Sequence, residues 1–239
     1  MALWVILEGV IKMAIKKLSE SKFKNKNVGV IGTIRGEVIE LTKGTSAAGR
    51  DYANGKMIVE GSEYPTNFSV FGTTSNPDLV DQVVAACEED ANLTVFVAPE
   101  QEHYELDGKA RTGLKLKVIK MGDPNSKQKD FNTLTFMGNH IEKGTVYDSN
   151  DKGSYLIFKL GVTNTWFDAK NNTDASRTNE FELSAFGPSA DKFAEAHAET
   201  LDGSMVQGRV QVQGAKLILK SLELVPVSVP TEDDNDIPF

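Results

Sequence analysis

The sequence predicts a mainly β protein built from two copies of one unit, each with five strands and one α-helix. Three observations support this prediction. From residue 28 onward, short runs of β-forming residues are separated by Gly, Asn and Asp. Each half contains one helical segment, and the elements follow the same order in both halves. With 239 residues, 40% of them hydrophobic and 25% charged, the chain is long enough for two small folded units.

The first copy is predicted to span residues 28–121. Runs of β-forming residues indicate the strands, and Lys43 to Gly49 is predicted to be a flexible turn rather than a phosphate-binding loop. The predicted strands are Val28 to Leu41, Lys56 to Glu60, Asn67 to Phe71, Leu93 to Leu106 and Leu114 to Met121, with a helix from Pro77 to Glu89.

The second copy is predicted to span residues 131–225, after a linker at 122–130 rich in polar residues. Phe167 to Asn179 is polar and is predicted to be a loop. A Phe-Gly pair precedes each helix, at Phe71 and at Phe186. The predicted strands are Asn132 to Val146, Ser154 to Val162, Glu180 to Phe186, Ser204 to Gln213 and Lys216 to Val225, with a helix from Ser189 to Leu201.

The two ends of the chain differ from its body. Residues 1–27 begin apolar and become basic, which is the reverse of a secretory signal, and the apolar run is too short to span a bilayer. We expect the biological chain to begin at Met13, so that residues 1–12 result from a start codon assigned too far upstream. Residues 226–239 are expected to form a disordered acidic tail, whose four acidic residues account for half of the net charge of −8. The remaining body is only mildly acidic, which leaves room for local basic strips.

Five strands with one helix between the third and the fourth is the order of the OB-fold, a small barrel that often binds single-stranded nucleic acid. The sequence therefore predicts two OB-fold five-stranded barrels. Such barrels also serve as protein-binding modules, so the element order alone leaves an adaptor function open.

The second copy resembles the bacterial single-stranded DNA-binding protein (SSB) family. The matching features are an aromatic residue after the second strand, at Trp166, and the Phe186-Gly187 pair after the third. Pro188 to Leu201 and Gly203 to Gln211 are similar to the family's helix and fourth strand. In the first copy the resemblance is clearest at Phe71-Gly72 and in a hairpin from His103 to Arg111. The resemblance implies nonspecific binding of single-stranded DNA in replication, recombination and repair.

The last residues of the tail combine acidic side chains with an apolar tip. A basic-rimmed hydrophobic pocket on another protein could accept such a segment and pair with its α-carboxylate. A solubilising acidic terminus is the alternative, but it does not explain the apolar tip. In the SSB family this tip recruits partner enzymes, and the resemblance implies that role for Asp233, Asp234, Asp236, Ile237, Pro238 and Phe239.

A nonspecific binder of single strands needs aromatic side chains for the bases and cations for the phosphates. Strand alternation assigns Leu156, Phe158 and Leu160 to the core and turns Tyr155, Ile157 and Lys159 the other way. Phe68, Phe181 and Phe193 are also predicted to pack, whereas Glu180 and Glu182 are expected to repel phosphate. The candidate DNA contacts are Trp166, Phe186, Lys159, Tyr155, Arg177, Phe71, Arg35, Lys56, Tyr104, Lys109 and Arg111.

Enzymatic functions find little support in the sequence. His103, His140 and His197 are scattered, and neither a metal site nor a cofactor is predicted. The single cysteine, Cys87, excludes an internal disulfide and fits a reducing compartment, for which the cytoplasm is the default. The resemblance implies the cytoplasm of a bacterium or of a phage-infected cell. Because relatives with one barrel per chain usually assemble four barrels, a homodimer is expected.

Binding of RNA by a regulator is a further alternative, since RNA bases stack in the same way. The resemblance leaves open a bacterial origin and, because the two copies have diverged, a phage or plasmid origin.

Deletion of Asp236 to Phe239 is expected to leave the affinity for single-stranded DNA unchanged or tighter, because an anionic competitor becomes shorter. Capture of partner proteins should be lost. Fluorescence titration and pull-down measure the two effects, and a chain with its last four residues scrambled controls for charge. Weaker DNA binding by the deletion variant would contradict the assignment of the tail.

Overall fold

The structure is a computed structural model that describes residues 29–73, 75–123, 125, 131–149, 153–168, 173–196 and 204–225. Within the strands, the side chains at 140–145, 148–149, 164–168, 174 and 177 are not among the described parts. The predictions for residues 1–27, for the acidic tail, for most of the linker at 122–130 and for the side chains of Trp166 and Arg177 therefore fall outside the described residues.

The first copy has the five strands and the helix that the sequence predicts. Strand β1 runs past the predicted end at Leu41, and the turn that follows occupies residues 46–50. The β4–β5 turn consists of Asp107 and Gly108, both with positive φ (53° and 69°), as a two-residue hairpin requires. The elements are β1 (Gly29–Thr45), β2 (Asp51–Val59), β3 (Pro65–Phe71), α1 (Leu79–Glu89), β4 (Asn92–Leu106) and β5 (Lys109–Met121).

The second copy also confirms the predicted order of strands and helix. The prediction of a loop from Phe167 to Asn179 is wrong, because β7 and β8 pair continuously from Tyr155 and Phe186 to Asp168 and Thr173. Polar composition was misleading here, since a hairpin that projects beyond the core needs no apolar face. The elements are β6 (Asn132–Ser149), β7 (Gly153–Asp168), β8 (Thr173–Phe186), α2 (Pro188–Ala196), β9 (Met205–Gln213) and β10 (Lys216–Leu224).

The strands of each copy pair in a closed ring. In the first copy β1 pairs with β2, β2 with β3, β3 with β5, β5 with β4 and β4 with β1. The second copy repeats this order with β6, β7, β8, β10 and β9. Only β3–β5 and β8–β10 are parallel among these pairs. Alternate side chains point into the rings, and Phe68, Phe158 and Phe181 are buried there as predicted. The mainly β prediction is confirmed.

The helices contribute apolar side chains to the same core. Leu79, Val80 and Val83 of α1 are buried, and their spacing places them on one side of the helix. Phe193 of α2 is partly buried against the core, in agreement with its predicted packing role. The observed bounds of α1 begin two residues after the predicted start at Pro77.

Strands β1 and β6 pair antiparallel, so all ten strands belong to one sheet. Each copy has a bulge on its last strand, at Ile119 in β5 and at Lys220 in β10. The residue pair next to the bulge is Val97–Val118 in the first copy and Val210–Leu219 in the second, so Val97 and Val210 hold equivalent positions. Val97 pairs with Gly32 of β1, and Val210 pairs with Leu134 of β6, so Gly32 and Leu134 are equivalent as well. Gly32 also faces Leu134 across the β1–β6 pairing. Two equivalent positions thus face each other, which places a pseudo-twofold axis between the copies.

The strands approach closely at this axis. A Cβ atom on Gly32 would lie 2.5 Å from the Thr133 carbonyl oxygen and 2.7 Å from the Leu134 Cα. Glycine on one strand therefore makes room for leucine on the other. Nearby, buried Asn132 donates from Nδ2 to the carbonyl oxygen of Val212 (2.9 Å) in its own copy and to that of Glu60 (2.8 Å), and the bond to Glu60 joins the two copies.

Replacement of Gly32 by alanine should lower the free energy of unfolding by about 1 to 3 kcal/mol, the usual cost of overpacking. The added methyl group meets backbone atoms of β6, which cannot rotate away. Gly113→Ala is the matched control, because its nearest neighbour is the edge of the Tyr104 ring at 3.3 Å. Thermal or urea unfolding measures both variants. Equal stability of the two variants would contradict the close approach at the axis.

Candidate nucleic-acid interface

Three aromatic side chains form a row on the outer surface of the second copy. Tyr147 of β6 pairs with Tyr155 of β7, which in turn pairs with Phe186 of β8. Because Leu156 and Phe158 point into the ring, alternation turns these aromatic residues outward. Tyr147 is 43% and Phe186 45% exposed. We call Tyr147, Tyr155 and Phe186 the aromatic row.

The geometry of the row is set by the strands and by a turn. The Tyr147 and Tyr155 rings are stacked, with centroids 4.8 Å apart and an interplanar angle of 15°. At the end of β8, the Gly187 N–H donates to the Ser154 carbonyl oxygen at 2.7 Å, which fixes Phe186 beside the start of β7. The Lys216 Nζ lies 5.2 Å from the centroid of the Phe186 ring. The surface thus combines apolar ring faces with a cation.

The first copy carries a smaller version of this surface. Tyr52 of β2 pairs with Phe71 of β3, and their ring centroids are 6.2 Å apart. Phe71 is 41% exposed. Tyr52 pairs on its other side with Gly44, the position that Tyr147 holds in the second copy. A Cβ atom on Gly44 would lie 2.7 Å from the Tyr52 hydroxyl, so the glycine accommodates the ring. We call Tyr52 and Phe71 the aromatic pair.

The long β4–β5 hairpin extends beyond the first ring, and we call residues 101–114 the arm. Directly paired residues of a hairpin point to the same face. Tyr104 pairs with Arg111 and Leu106 with Lys109, so these four side chains share one exposed face. The three sequence-predicted contacts in the hairpin, Tyr104, Lys109 and Arg111, are therefore brought together.

The opposite face of the arm contacts the second copy. The Gln101 side chain exchanges two hydrogen bonds with the backbone of Glu182, accepting from its N–H at 2.6 Å and donating to its carbonyl oxygen at 3.1 Å. The Thr112 hydroxyl donates to the Glu182 carboxylate at 2.9 Å. A small cavity of about 180 Å³ lies beside this contact, lined by His103, Lys159, Glu180, Phe181 and Glu182.

This contact changes the expected role of Glu182. The sequence predicts that Glu180 and Glu182 line an open groove and repel phosphate. Glu180 is exposed, but Glu182 is only partly exposed and faces the arm. Lys159 pairs with Glu182 across β7 and β8, which places a cation beside the acidic group. Repulsion of phosphate at Glu182 is therefore smaller than the sequence alone suggests.

Two predicted contacts of the first copy have partners within the protein. The guanidinium of Arg35 lies 3.7 Å from the centroid of the Phe131 ring, and its Nε donates to the Thr94 hydroxyl at 3.1 Å. Lys56 forms an ion pair with Glu40 at 2.6 Å. Lys43 is also paired, since its Nζ lies 2.6 Å from Asp81, and this hydrogen bond raises the pKa of Lys43.

The two remaining predicted contacts, Trp166 and Arg177, are located only by their backbone. Trp166 pairs with Ala175 and Arg177 with Asn164, so both lie on the β7–β8 hairpin, Arg177 within the segment predicted to be a loop and Trp166 just before it. Phe186, Tyr155 and Phe71 are exposed or partly exposed on the outer surfaces of the rings.

Sequence reasoning missed Tyr147, Tyr52 and Lys216. Strand β6 was predicted to end at Val146, one residue before Tyr147, and β2 was predicted to begin at Lys56, after Tyr52. The high β-propensity of tyrosine is a signal that could have extended β6 by one residue to Tyr147, whereas Ala53 to Gly55 have low β-propensity and separate Tyr52 from the predicted start of β2. Lys216 approaches Phe186 from β10, and nothing in the local sequence indicates that contact.

A groove of about 390 Å³ lies between β1 and α1, and Cys87 lines it together with Val38, Leu41 and Val84. Burial raises the pKa of the Cys87 thiol, which disfavours the reactive thiolate.

In the described part of the chain, no group of three or more His, Cys, Asp or Glu residues is arranged to hold a metal ion. The described helices include none that is long and apolar enough to cross a membrane.

Comparison of the fold with solved structures finds structures that align with most of this chain. No protein family profile matches the chain, and no curated protein is similar to it in sequence. The wild-type single-stranded DNA-binding protein from Thermus aquaticus is 14% identical, with a TM-score of 0.57 over 86% of this chain and 96% of that one. A deletion variant of the same protein is 13% identical, with a TM-score of 0.57 over 86% and 98%. The likeness shows that this chain has an OB-type fold like that of the Thermus protein.

Proposed function

We propose that this protein binds single-stranded DNA without strong sequence preference, through the aromatic row of the second copy and the aromatic pair of the first. The observation that carries the proposal is the row itself, three outward aromatic side chains in register on adjacent strands. Exposed rings cost solvation free energy and are uncommon as groups on a protein surface without a partner. The shared fold with the Thermus single-stranded DNA-binding protein supports this choice of ligand.

Stacking explains both the affinity and the lack of sequence preference. Every base has a π-face, and stacking of one base on an aromatic side chain contributes ~1 to 3 kcal/mol. Phe186 offers an exposed ring with Lys216 beside it, so a base and its phosphate can be held together. The net charge of −8 does not oppose this arrangement, because the potential near the contact governs binding.

The proposed contacts extend along the β7–β8 hairpin and the arm. Lys159 faces outward at the middle of β7, and Trp166 and Arg177 follow toward the tip of the hairpin. In the first copy, Phe71 and the arm residues Tyr104, Lys109 and Arg111 are exposed. Arg35 and Lys56 have partners within the protein, so they contribute less to the proposal than the sequence analysis assigned to them.

We further propose that the protein acts in DNA replication, recombination and repair, and that residues 233–239 recruit partner enzymes. Two OB-fold barrels in one chain support a homodimer with four barrels in total. The pseudo-twofold pairing of β1 with β6 supports this count, because it already joins two barrels within the chain. The same stacking chemistry would accept RNA, so a competition between oligo-dT and oligo-U decides which nucleic acid is preferred.

Replacement of Phe186 by alanine should weaken binding of oligo-dT by at least about fivefold, the lower end of the loss expected for one stacked base. Tyr155→Phe should bind normally, because it keeps the ring. Tyr64→Ala controls for the loss of an exposed ring that is not a member of the row, since Tyr64 is 65% exposed and lies between β2 and β3. Titration with a fluorescein-labelled oligonucleotide measures all three variants.

The wild-type protein provides the more general test of the proposal. Binding should weaken as salt concentration rises, because phosphate contacts release counterions. Stacking should also quench tryptophan fluorescence if Trp166 takes part, and Trp4→Phe removes the signal of the second tryptophan. No binding of oligo-dT at low salt would refute the proposed function.

A further inference from the structure

The arm contacts the second copy at a place where strand β8 lacks its usual neighbour. Strand β10 pairs with β8 at Leu183 and Ser184. One residue earlier, the Gln101 side chain accepts from the Glu182 N–H and donates to the Glu182 carbonyl oxygen. A carboxamide has the same donor and acceptor as a peptide group. Gln101 therefore continues the hydrogen bonding of β8 in place of a strand, and it belongs to the other copy.

A second set of hydrogen bonds strengthens this contact. The Thr112 hydroxyl has one hydrogen, which it donates to the Glu182 carboxylate at 2.9 Å. The Thr112 oxygen then accepts from the His103 ring at 3.1 Å, in the tautomer that carries a hydrogen on Nδ1. His103, Thr112 and Glu182 therefore form a chain of hydrogen bonds that ends on a carboxylate. A hydrogen bond to a charged carboxylate is stronger than one between neutral groups.

The pseudo-twofold axis allows a comparison with the opposite junction. Because Val97 and Val210 are counterparts, the counterpart of Gln101, four residues later, is Gly214. Gly214 lies in the β9–β10 turn and also contacts the other copy, accepting from the Thr66 hydroxyl at 2.8 Å and donating to the Ser62 hydroxyl at 3.2 Å. The short β9–β10 turn is thus sufficient to contact the other copy at this junction. The β4–β5 hairpin at the equivalent junction is longer than such a contact requires.

We propose that Gln101 and Thr112 are positioning residues, which form a latch on Glu182 and hold the arm across the second copy. This proposal rests on the proposed function and deepens it. The latched face of the arm is turned toward β8, so the opposite face presents Tyr104, Lys109 and Arg111 to solvent. That face is a third contact region, which connects the DNA-binding surfaces of the two copies. A strand long enough to cover both copies contacts it, and a short one does not.

Amide hydrogen exchange tests the latch without any DNA. In Gln101→Ala the Glu182 amide loses its acceptor and should exchange about 2- to 13-fold faster, because one hydrogen bond contributes ~0.5 to 1.5 kcal/mol. Gln213→Ala is the matched control, since Gln213 is an exposed glutamine at the end of β9. Unchanged exchange at Glu182 in Gln101→Ala would overturn the latch.

Oligonucleotides of two lengths test what the latch does for binding. An oligo-dT of about 10 nucleotides fits one OB-fold, whose site covers ~4 to 16 nucleotides, and one of about 35 covers two. Gln101→Ala should bind the short strand normally and the long strand about 3- to 10-fold more weakly, the effect of one or two hydrogen bonds. Tyr104→Ala should show the same length dependence but leave the exchange of the Glu182 amide unchanged.

The outcomes separate this proposal from the proposed function. If the wild-type chain binds neither oligonucleotide, the proposed function fails, whereas hydrogen exchange still reports on the latch. If both oligonucleotides bind and Gln101→Ala exchanges faster at Glu182 but binds the long strand normally, the latch holds the arm without contributing to the binding path. That result would overturn the positioning role of Gln101 and Thr112.

Discussion

The antiparallel pairing of β1 with β6 is the interaction on which the rest of this structure depends. It brings Gly32 opposite Leu134 and relates the two copies by a pseudo-twofold axis. The close approach at Gly32 sets the distance between the rings, and buried Asn132 satisfies backbone groups of both copies. Once this pairing is fixed, the β9–β10 turn meets Thr66 on one side and the arm meets Glu182 on the other.

Strand alternation then separates packing from recognition. Each ring buries the apolar residues of one parity, so Leu156 and Phe158 are enclosed while Tyr155 points outward. Closed rings also leave few unpaired strand edges, which protects a β-rich protein from unwanted strand addition. The edge of β8 at Glu182 is an exception within the described residues, and Gln101 covers it from the other copy. The backbone hydrogen bonds that β8 lacks at Glu182 are thus supplied by the arm, which also carries Tyr104 and Arg111.

Much of this architecture could be predicted from the sequence, because strand runs, turn residues and the repeated Phe-Gly pairs are local signals. Burial of Phe158 followed from strand alternation, and burial of Phe68 and Phe181 from the tendency of aromatic side chains within strands to pack. The ends of strands were harder to predict, and Tyr147 and Tyr52 were missed because they lie beyond the predicted ends of β6 and β2. Contacts between the copies could not be predicted, since Gln101 and Glu182 are 81 residues apart and neither is unusual in its own segment. The stacking of Arg35 on Phe131 was hidden for the same reason.

The central claim is that bases of a single strand stack on the aromatic row. Photocrosslinking of the full chain to oligo-dT that contains 5-iodouracil, followed by mass spectrometry of the peptides, tests it most directly. Stacking on the row predicts adducts at Tyr147, Tyr155 or Phe186, with fewer at Tyr52 and Phe71, where the first copy has a smaller aromatic surface. Adducts confined to peptides outside the aromatic row and the aromatic pair would contradict it.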